Sequence, residues 1–464
     1  VVLHGHDFSF APKTDMIERM KQPQFATLTL EKIVGGGQAL GVLDDGRKAF
    51  VWGGLPGERA TIRITKKKSH FVEGIVTDVH EASPERIAPH DPDSYLSTSP
   101  WQIMTFEAEQ HYKAALIEEA FELHDIVLPN PIEVYTDNHT TRYRNKVEFS
   151  WYSTVLEDEA GEAQTANETL DLAFFHRGSK GKIVIEECSL LPGEIMRLAR
   201  AIRDLLRAKH ITARQLKTLL IRCDQEGNCV WQLYVKDEIF DAISLEDASR
   251  LPAQGGEVIY SDPRSPASRI TKRLAHFGNI VLQDTLLGTT FHYATEGFFQ
   301  VNIPVYEHAL RDMGAWIDPA DRTIDMYSGV GTIGLTIGGP ECTLVEIDEH
   351  AVREMRRNIA TLKSSAQAVL APSEKTLEYI NGDMIVIVDP PRAGMHQDVI
   401  KRLLETRPKR IVYLSCNPVT QARDVSLLAE RYGIRHHMGY NFFPRTPHIE
   451  HLIVLDILPY IDGR

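Results

Sequence analysis

The chain is poor in cysteine, in aromatic residues and in long apolar runs, and the first and last of these shortages each exclude something. Five cysteines, Cys188, Cys223, Cys229, Cys342 and Cys416, in 464 residues are too few for a disulfide framework, and a reducing compartment would keep them as thiols. No apolar run approaches the roughly 20 residues that a membrane span needs, so no membrane partner is expected. The start, VVLHGHDFSFAPKTDMIERM, has neither the basic lead nor the apolar stretch of a signal peptide, and a cytoplasmic protein is expected. A net charge of −13 argues against a uniformly basic binder of nucleic acid. One local cluster, ITKKKSH at 64–70, remains, and alone such a run reads more readily as a solvated turn.

What is present divides into four stretches. Residues 1–25 mix charge, Pro and Gly without periodicity and read as a tail. Residues 26–85 alternate short strand patterns with glycine, as in TLTLEKIVGGGQALGVL and RATIRITKKK, which predicts a small barrel. Residues 86–285 predict a central α+β domain. It contains a helix over 106–124, FEAEQHYKAALIEEAFELH, which could pack on the C-terminal part, and a second helix, PGEIMRLARAIRDLLRAK. LKTLLIRCD and CVWQLYVKD, joined by QEGN, predict a hairpin, and LEDEAGEAQTANET at 156–169 reads as an exposed loop. From 286 to 464 apolar runs alternate with helical segments: TIDMYSG, CTLVEID, MIVIVDPP, RIVYLSCN and HLIVLDIL. That grammar implies an α/β domain whose parallel sheet is covered on both faces, with ligands at the carboxyl ends of its strands.

The suggestive side chains of this last stretch fall at strand ends. In DMYSGVGTIGL, Gly329 and Gly331 would let backbone approach a ligand just before a helix start, and Glu346 in LVEID follows about where a ribose-binding acid belongs. The third glycine of a dinucleotide fingerprint is missing, so S-adenosylmethionine fits better than a pyrophosphate cofactor. Asp389 begins a rigid Asp-Pro-Pro loop able to accept hydrogen bonds from a planar base, although prolines also simply end strands. Cys416 ends RIVYLSC, and Asn417-Pro418 turn the chain at once, leaving a sulfur at the ligand rim as a candidate nucleophile. Glu450, between His448 and His451, is a candidate general base.

In this order, FFQVN, DMYSGVGTIGL, VDPPRAG, SCNPVTQARD and PRTPHIEHL resemble the RNA uracil-5-methyltransferases, and the barrel resembles their OB-like, RNA-binding TRAM domain. The resemblance implies a Rossmann-like methyltransferase domain that uses S-adenosylmethionine. Cys416 would be the nucleophile and Glu450 the base that removes the C5 proton, with Asp389 between cofactor and uracil. Gln300, Tyr327, Gly329, Gly331, Thr332, Glu346 and Asp389 would hold the cofactor. Many relatives bind an iron–sulfur cluster through four cysteines; only Cys188 in EECSLLP looks like a survivor of that set, so no cluster is expected. The expected partner is RNA, with large-subunit (23S) ribosomal RNA ahead of transfer RNA, acted on by a monomer. Two readings stay open beside it: a methyltransferase acting on an exocyclic amine, which needs no cysteine, and a non-catalytic RNA-binding protein.

Overall fold

The computed structural model describes residues 23–157, 163–265 and 268–459, so the expected tail lies almost wholly outside them. In the first strand, Phe25–Ile33, Leu28 and Leu30 point inward while Thr27, Thr29 and Glu31 face out. A bulge between Leu30 and Lys32 then shifts the alternation so that Ile33 turns inward too. This strand and Ala39–Val42, Lys48–Trp52, Arg59–Lys67 and Phe71–Glu81 close into a five-stranded barrel. Closure removes the sheet edges, and the buried Leu28, Leu30, Val51, Ile62 and Val72 fill the inside.

The middle of the chain forms a seven-stranded sheet. Its strands lie in the order Lys272–Gly278, Gly255–Tyr260, Cys229–Val235, Leu216–Cys223, Lys146–Glu157, Ala163–Phe175 and Lys182–Val184. The helix Gly193–Ala208 lays its stripe of Ile195, Leu198, Ala199, Ile202 and Leu206 on one face. Two expectations are corrected here. The stretch 156–169 is not one loop: the two long strands continue to pair through Thr154–Thr169, Val155–Glu168 and Glu157–Ala163, leaving 158–162 outside the described residues. Polar sequence can pair as a strand as well as loop out, and the ladder decides. The five cysteines are also not all thiols. Hairpin register sets Cys223 directly opposite Cys229, with Cα atoms 4.2 Å apart, and the two are joined as a disulfide.

The C-terminal part carries an eight-stranded sheet in the order Gln367–Leu370, Glu341–Glu346, Arg322–Met326, Ile385–Val388, Arg410–Ser415, Glu450–Ile457, Tyr432–Tyr440 and Val134–Tyr135. The first five are mutually parallel, with helices between them, as the apolar runs require. The strand Glu450–Ile457 runs the other way, pairing antiparallel with both neighbours. Only nine residues separate it from Tyr432–Tyr440, too few for a helical crossover. The helix Phe106–Glu122, capped by the Thr105 hydroxyl, packs on the helix Pro418–Leu428, and the hairpin Val281–Leu286/Thr289–Ala294 packs on the helix Glu349–Leu362. Segments before residue 295 thus complete the C-terminal layers.

Candidate active site

The reversed last strand decides where the site lies. Parallel strands place their carboxyl ends at one rim, and an antiparallel neighbour brings its amino end to the same rim. Ser415 pairs with His451, so the next residues outward, Cys416 and Glu450, meet there although 34 positions separate them. Local sequence holds the cysteine turn. The Ser415 hydroxyl accepts from the Asn417 N–H (3.2 Å), and the Asn417 side chain caps the following helix by accepting from Val419 N–H (3.2 Å). Pro418 stands at the first helical position, where its missing N–H costs nothing. Asn417 Nδ2 also donates to the Arg392 carbonyl (2.8 Å), tying this turn to the Asp-Pro-Pro loop.

That loop closes tightly for a visible reason. Gly394 has φ of +80°, and a Cβ there would lie 2.6 Å from both the Arg423 guanidinium and the Asp424 carboxylate. Buried Asp424 accepts from Met395 N–H (2.8 Å) and the Tyr413 hydroxyl (2.9 Å). Buried Gln421 donates to the carbonyls of Tyr413 (3.1 Å) and His451 (2.9 Å), bracing the strand beside Glu450. The polar part of SCNPVTQARD therefore builds the rim rather than touching its contents.

On the other side, Tyr327 stands at the strand end with φ of +67°, a strained conformation for a bulky residue and one that functional sites retain. Gly329 follows with φ of +57° and open space where a Cβ would sit. Glu346 fixes this loop by accepting from the N–H groups of Gly329 (2.9 Å), Ile347 (2.8 Å) and Asp348 (2.8 Å). Three bonds leave part of its carboxylate's capacity for another donor. The segment before Gln300 is gripped by the central sheet: buried Arg222 donates to the carbonyls of Gly297 (2.7 Å) and Phe299 (2.6 Å), and Lys146 donates to the Glu296 carbonyl (3.1 Å).

These pieces enclose one cavity of about 1270 Å³. Gln300, Tyr327, Gly329, Glu346, Asp389, Cys416 and Glu450 all line it. Gly331 and Thr332 are not brought to its wall. Gly331 faces Leu335, Leu344 and Met355 in the layer beneath, and the Thr332 hydroxyl lies 2.8 Å from that of Tyr306. The turn of the new helix carries them inward, which a G-x-G pattern cannot reveal. Sequence reasoning also passed over Arg144, Phe298, Arg392 and His448, which line the same space. Phe298, Arg392 and His448 lie inside motifs already singled out, whereas Arg144 arrives from the central domain with no local signal.

The electrostatics are those of a crowded acidic pocket. Burial raises Asp389 to about 7. Glu450 is raised well above the carboxylate range by burial and by Asp389, against the lowering effect of Arg392. Cys416 is pushed up to about 12, first by burial and then by Glu450 and Asp389, again opposed by Arg392. The other two free cysteines, Cys188 and Cys342, are buried in apolar surroundings and raised to about 11 and about 12. Among the described residues, no three His, Cys, Asp or Glu side chains converge as metal ligands.

Residues 375–457 match the family profile described as tRNA (Uracil-5-)-methyltransferase, and residues 27–77 match the TRAM domain. The chain fits the RNA uracil-5-methyltransferase family. An "Uncharacterized RNA methyltransferase" of Nitratidesulfovibrio vulgaris is 27% identical, covering 92% of this chain and 95% of its own. Another so named, of Lactiplantibacillus plantarum, is 28% identical over 90% and 94%. Among solved structures, Pyrococcus abyssi tRNA (uracil-54, C5)-methyltransferase in complex with S-adenosyl-L-homocysteine has the same fold. Its TM-score is 0.74 at 20% identity, covering 92% of this chain and 100% of that one. The five-stranded barrel holds the TRAM match, and the stretch matching the methyltransferase profile contains Asp389, Cys416 and Glu450.

Proposed function

We propose that the protein transfers a methyl group from S-adenosylmethionine to carbon 5 of a uridine in RNA, through a covalent bond between Cys416 and carbon 6. The observation that carries this reading is the convergence of Cys416, Glu450 and Asp389 on the cavity that also meets the Gly329 loop and Glu346. The residues suit the cofactor. Gly329 leaves backbone open to the space, Glu346 and Asp348 offer carboxylates to hydroxyls, and the acidic floor favours a cation. When bound, S-adenosylmethionine supplies an electrophilic methyl group on a positively charged sulfur.

The chain's own residues do the rest. Carbon 5 of uracil is a weak nucleophile until the Cys416 thiolate adds to carbon 6 and leaves C5 electron-rich. Once C5 has accepted the methyl group, Glu450 takes its proton; the C–H electron pair restores the C5=C6 bond and the C6–S bond breaks, releasing the thiolate. In the free protein burial, with Glu450 and Asp389 beside it, keeps the thiol protonated. One positive charge in the cavity would lower Asp389, Glu450 and Cys416 together, so ligand occupancy and nucleophile activation go hand in hand. Because stacked bases hide C6, the target must be flipped out or lie in a loop.

The TRAM domain supports a structured RNA, and large-subunit (23S) ribosomal RNA is the first substrate reading. Transfer RNA is the second, favoured by the solved enzyme of the same fold that acts on tRNA uracil-54. Nucleoside mass spectrometry of RNA from cells lacking the protein, with the missing 5-methyluridine mapped, decides between them. RNA carrying 5-fluorouridine should form a denaturation-resistant adduct with the protein and cofactor, since fluorine does not leave as a proton does. Turnover on uridine without such trapping would overturn the covalent route, and activity in Cys416→Ala would favour the exocyclic-amine reading.

A further inference from the structure

The segment Asn441–Ile449 joins the last two strands, has no regular structure of its own, and delivers Glu450 to the cavity. Its shape is fixed from outside the C-terminal sheet, by a helix that precedes the central sheet. Glu109 and Lys113 on the helix Phe106–Glu122 are fully buried, 3.1 Å apart. The Lys113 ammonium donates to Asn441 Oδ1 (2.5 Å) and to the Phe443 carbonyl (3.1 Å). The Glu109 carboxylate accepts from Asn441 Nδ2 (2.8 Å) and, with both oxygens, from the Arg445 N–H (3.0 Å each). Arg445 sits at φ of +65°, a strained backbone that this carboxylate holds in place.

A buried charge pair is a poor way to gain stability, because desolvation offsets attraction and apolar replacements often do as well. Burial pushes Lys113 down to about 8 even with Glu109 beside it. The hydrogen bonds that these two side chains make outside the pair end on residues 441–445, and neither side chain lines the cavity. The pair therefore reaches the cavity only through the loop: Phe443, whose carbonyl Lys113 holds, lines the cavity, and the Lys113 charge helps to lower His448 there. We propose that Glu109 and Lys113 are positioning residues for Glu450, holding the 441–449 segment so that the carboxylate meets the C5 proton. This inference rests on the covalent reading above. Cys416 stands on a different strand and turn, secured by Ser415, Asn417 and Arg392, so addition to carbon 6 does not depend on the pair.

Glu109→Gln and Lys113→Met separate the two steps. With uridine RNA and S-adenosylmethionine, kcat should fall about tenfold or more and KM for RNA should fall with it, leaving kcat/KM within about twofold, because only the step after adduct formation is misaligned. The fraction of protein held as methylated RNA adduct in steady state should rise, and the rate of trapping by 5-fluorouridine RNA should match wild type. Asn441→Ser, which cuts the link from the loop side, should do the same and carries the test if a buried-pair variant fails to fold. A trapping rate that falls in step with kcat, or an unchanged kcat in a folded variant, overturns the proposal. If wild type itself traps no 5-fluorouridine RNA, the covalent reading falls and this inference falls with it; if wild type traps normally, a failure belongs to the inference alone.

Discussion

Cys416 is a thiol whose neighbours hold it back. Burial, Glu450 and Asp389 raise it to about 12, and the Arg392 charge opposes them without prevailing. Its reactive thiolate fraction in the free protein should therefore climb about tenfold per pH unit across the alkaline range, without levelling off near the ordinary thiol value. Iodoacetamide labelling of Cys416 between pH 8 and pH 10, followed by peptide mass spectrometry, checks this, and a plateau near pH 9 would contradict it. Arg392→Ala removes the opposing charge and should slow labelling further. Glu450→Gln should reduce turnover by about 10²–10⁴-fold, the usual contribution of a positioned base, and leave the RNA adduct intact on a denaturing gel. Cys416 and Glu450 stand out in sequence because each sits inside a dense local motif. Their proximity does not, since it depends on the register Ser415–His451 between strands far apart in the chain.

At the scale of elements, strand ends and turns were read well wherever apolar runs stop at Gly, Asp or Asn, as at Tyr327–Gly329 and Asp389–Pro391. The reading failed where pairing outweighs composition, as in the polar strand Ala163–Phe175, or where a helix turns inward and hides Gly331 and Thr332. One meeting of elements is open to direct test. Gly37, in the turn after the first barrel strand, has φ of +87°, and a Cβ there would lie 2.1 Å from the Cβ of Pro447. Gly46 shares the left-handed backbone, at φ of +82°, but has open space around it. Both Gly37→Ala and Gly46→Ala should cost roughly 1–3 kcal/mol of local backbone strain. Only Gly37→Ala should also lower kcat, by pushing Pro447 and the loop before Glu450. Equal effects on kcat from the two variants would show that the packing of Gly37 on Pro447 does not matter.

For the whole molecule, a net charge of −13 makes the surface repel RNA except where cations gather. Lys67 and Lys68 on the TRAM domain are exposed, while Lys66 is engaged with Glu73 at 2.6 Å. Replacing Lys67 and Lys68 with alanine should weaken RNA binding and flatten the plot of log affinity against log salt by about 0.7–0.9 for each phosphate that is no longer neutralised. An unchanged slope in filter-binding titrations would place the RNA elsewhere on the surface. Composition announced separate domains but not how they share residues. The helix Phe106–Glu122 crosses onto the C-terminal layers as its sequence allowed, whereas the strand Val134–Tyr135 and the Val281–Ala294 hairpin cross with no local pattern to mark them.

The seating of Gly37 against Pro447 has a consequence for recombination. The Trp101 indole donates to the Gly37 carbonyl (3.0 Å), and the Trp101 backbone N–H donates to the Arg445 carbonyl (3.1 Å), so one tryptophan clasps the barrel turn and the loop leading to Glu450 together. A chimera that borrows its barrel from a relative would inherit a foreign turn pressing on a native loop. Working hybrids should be those in which both sides of that seam come from the same parent.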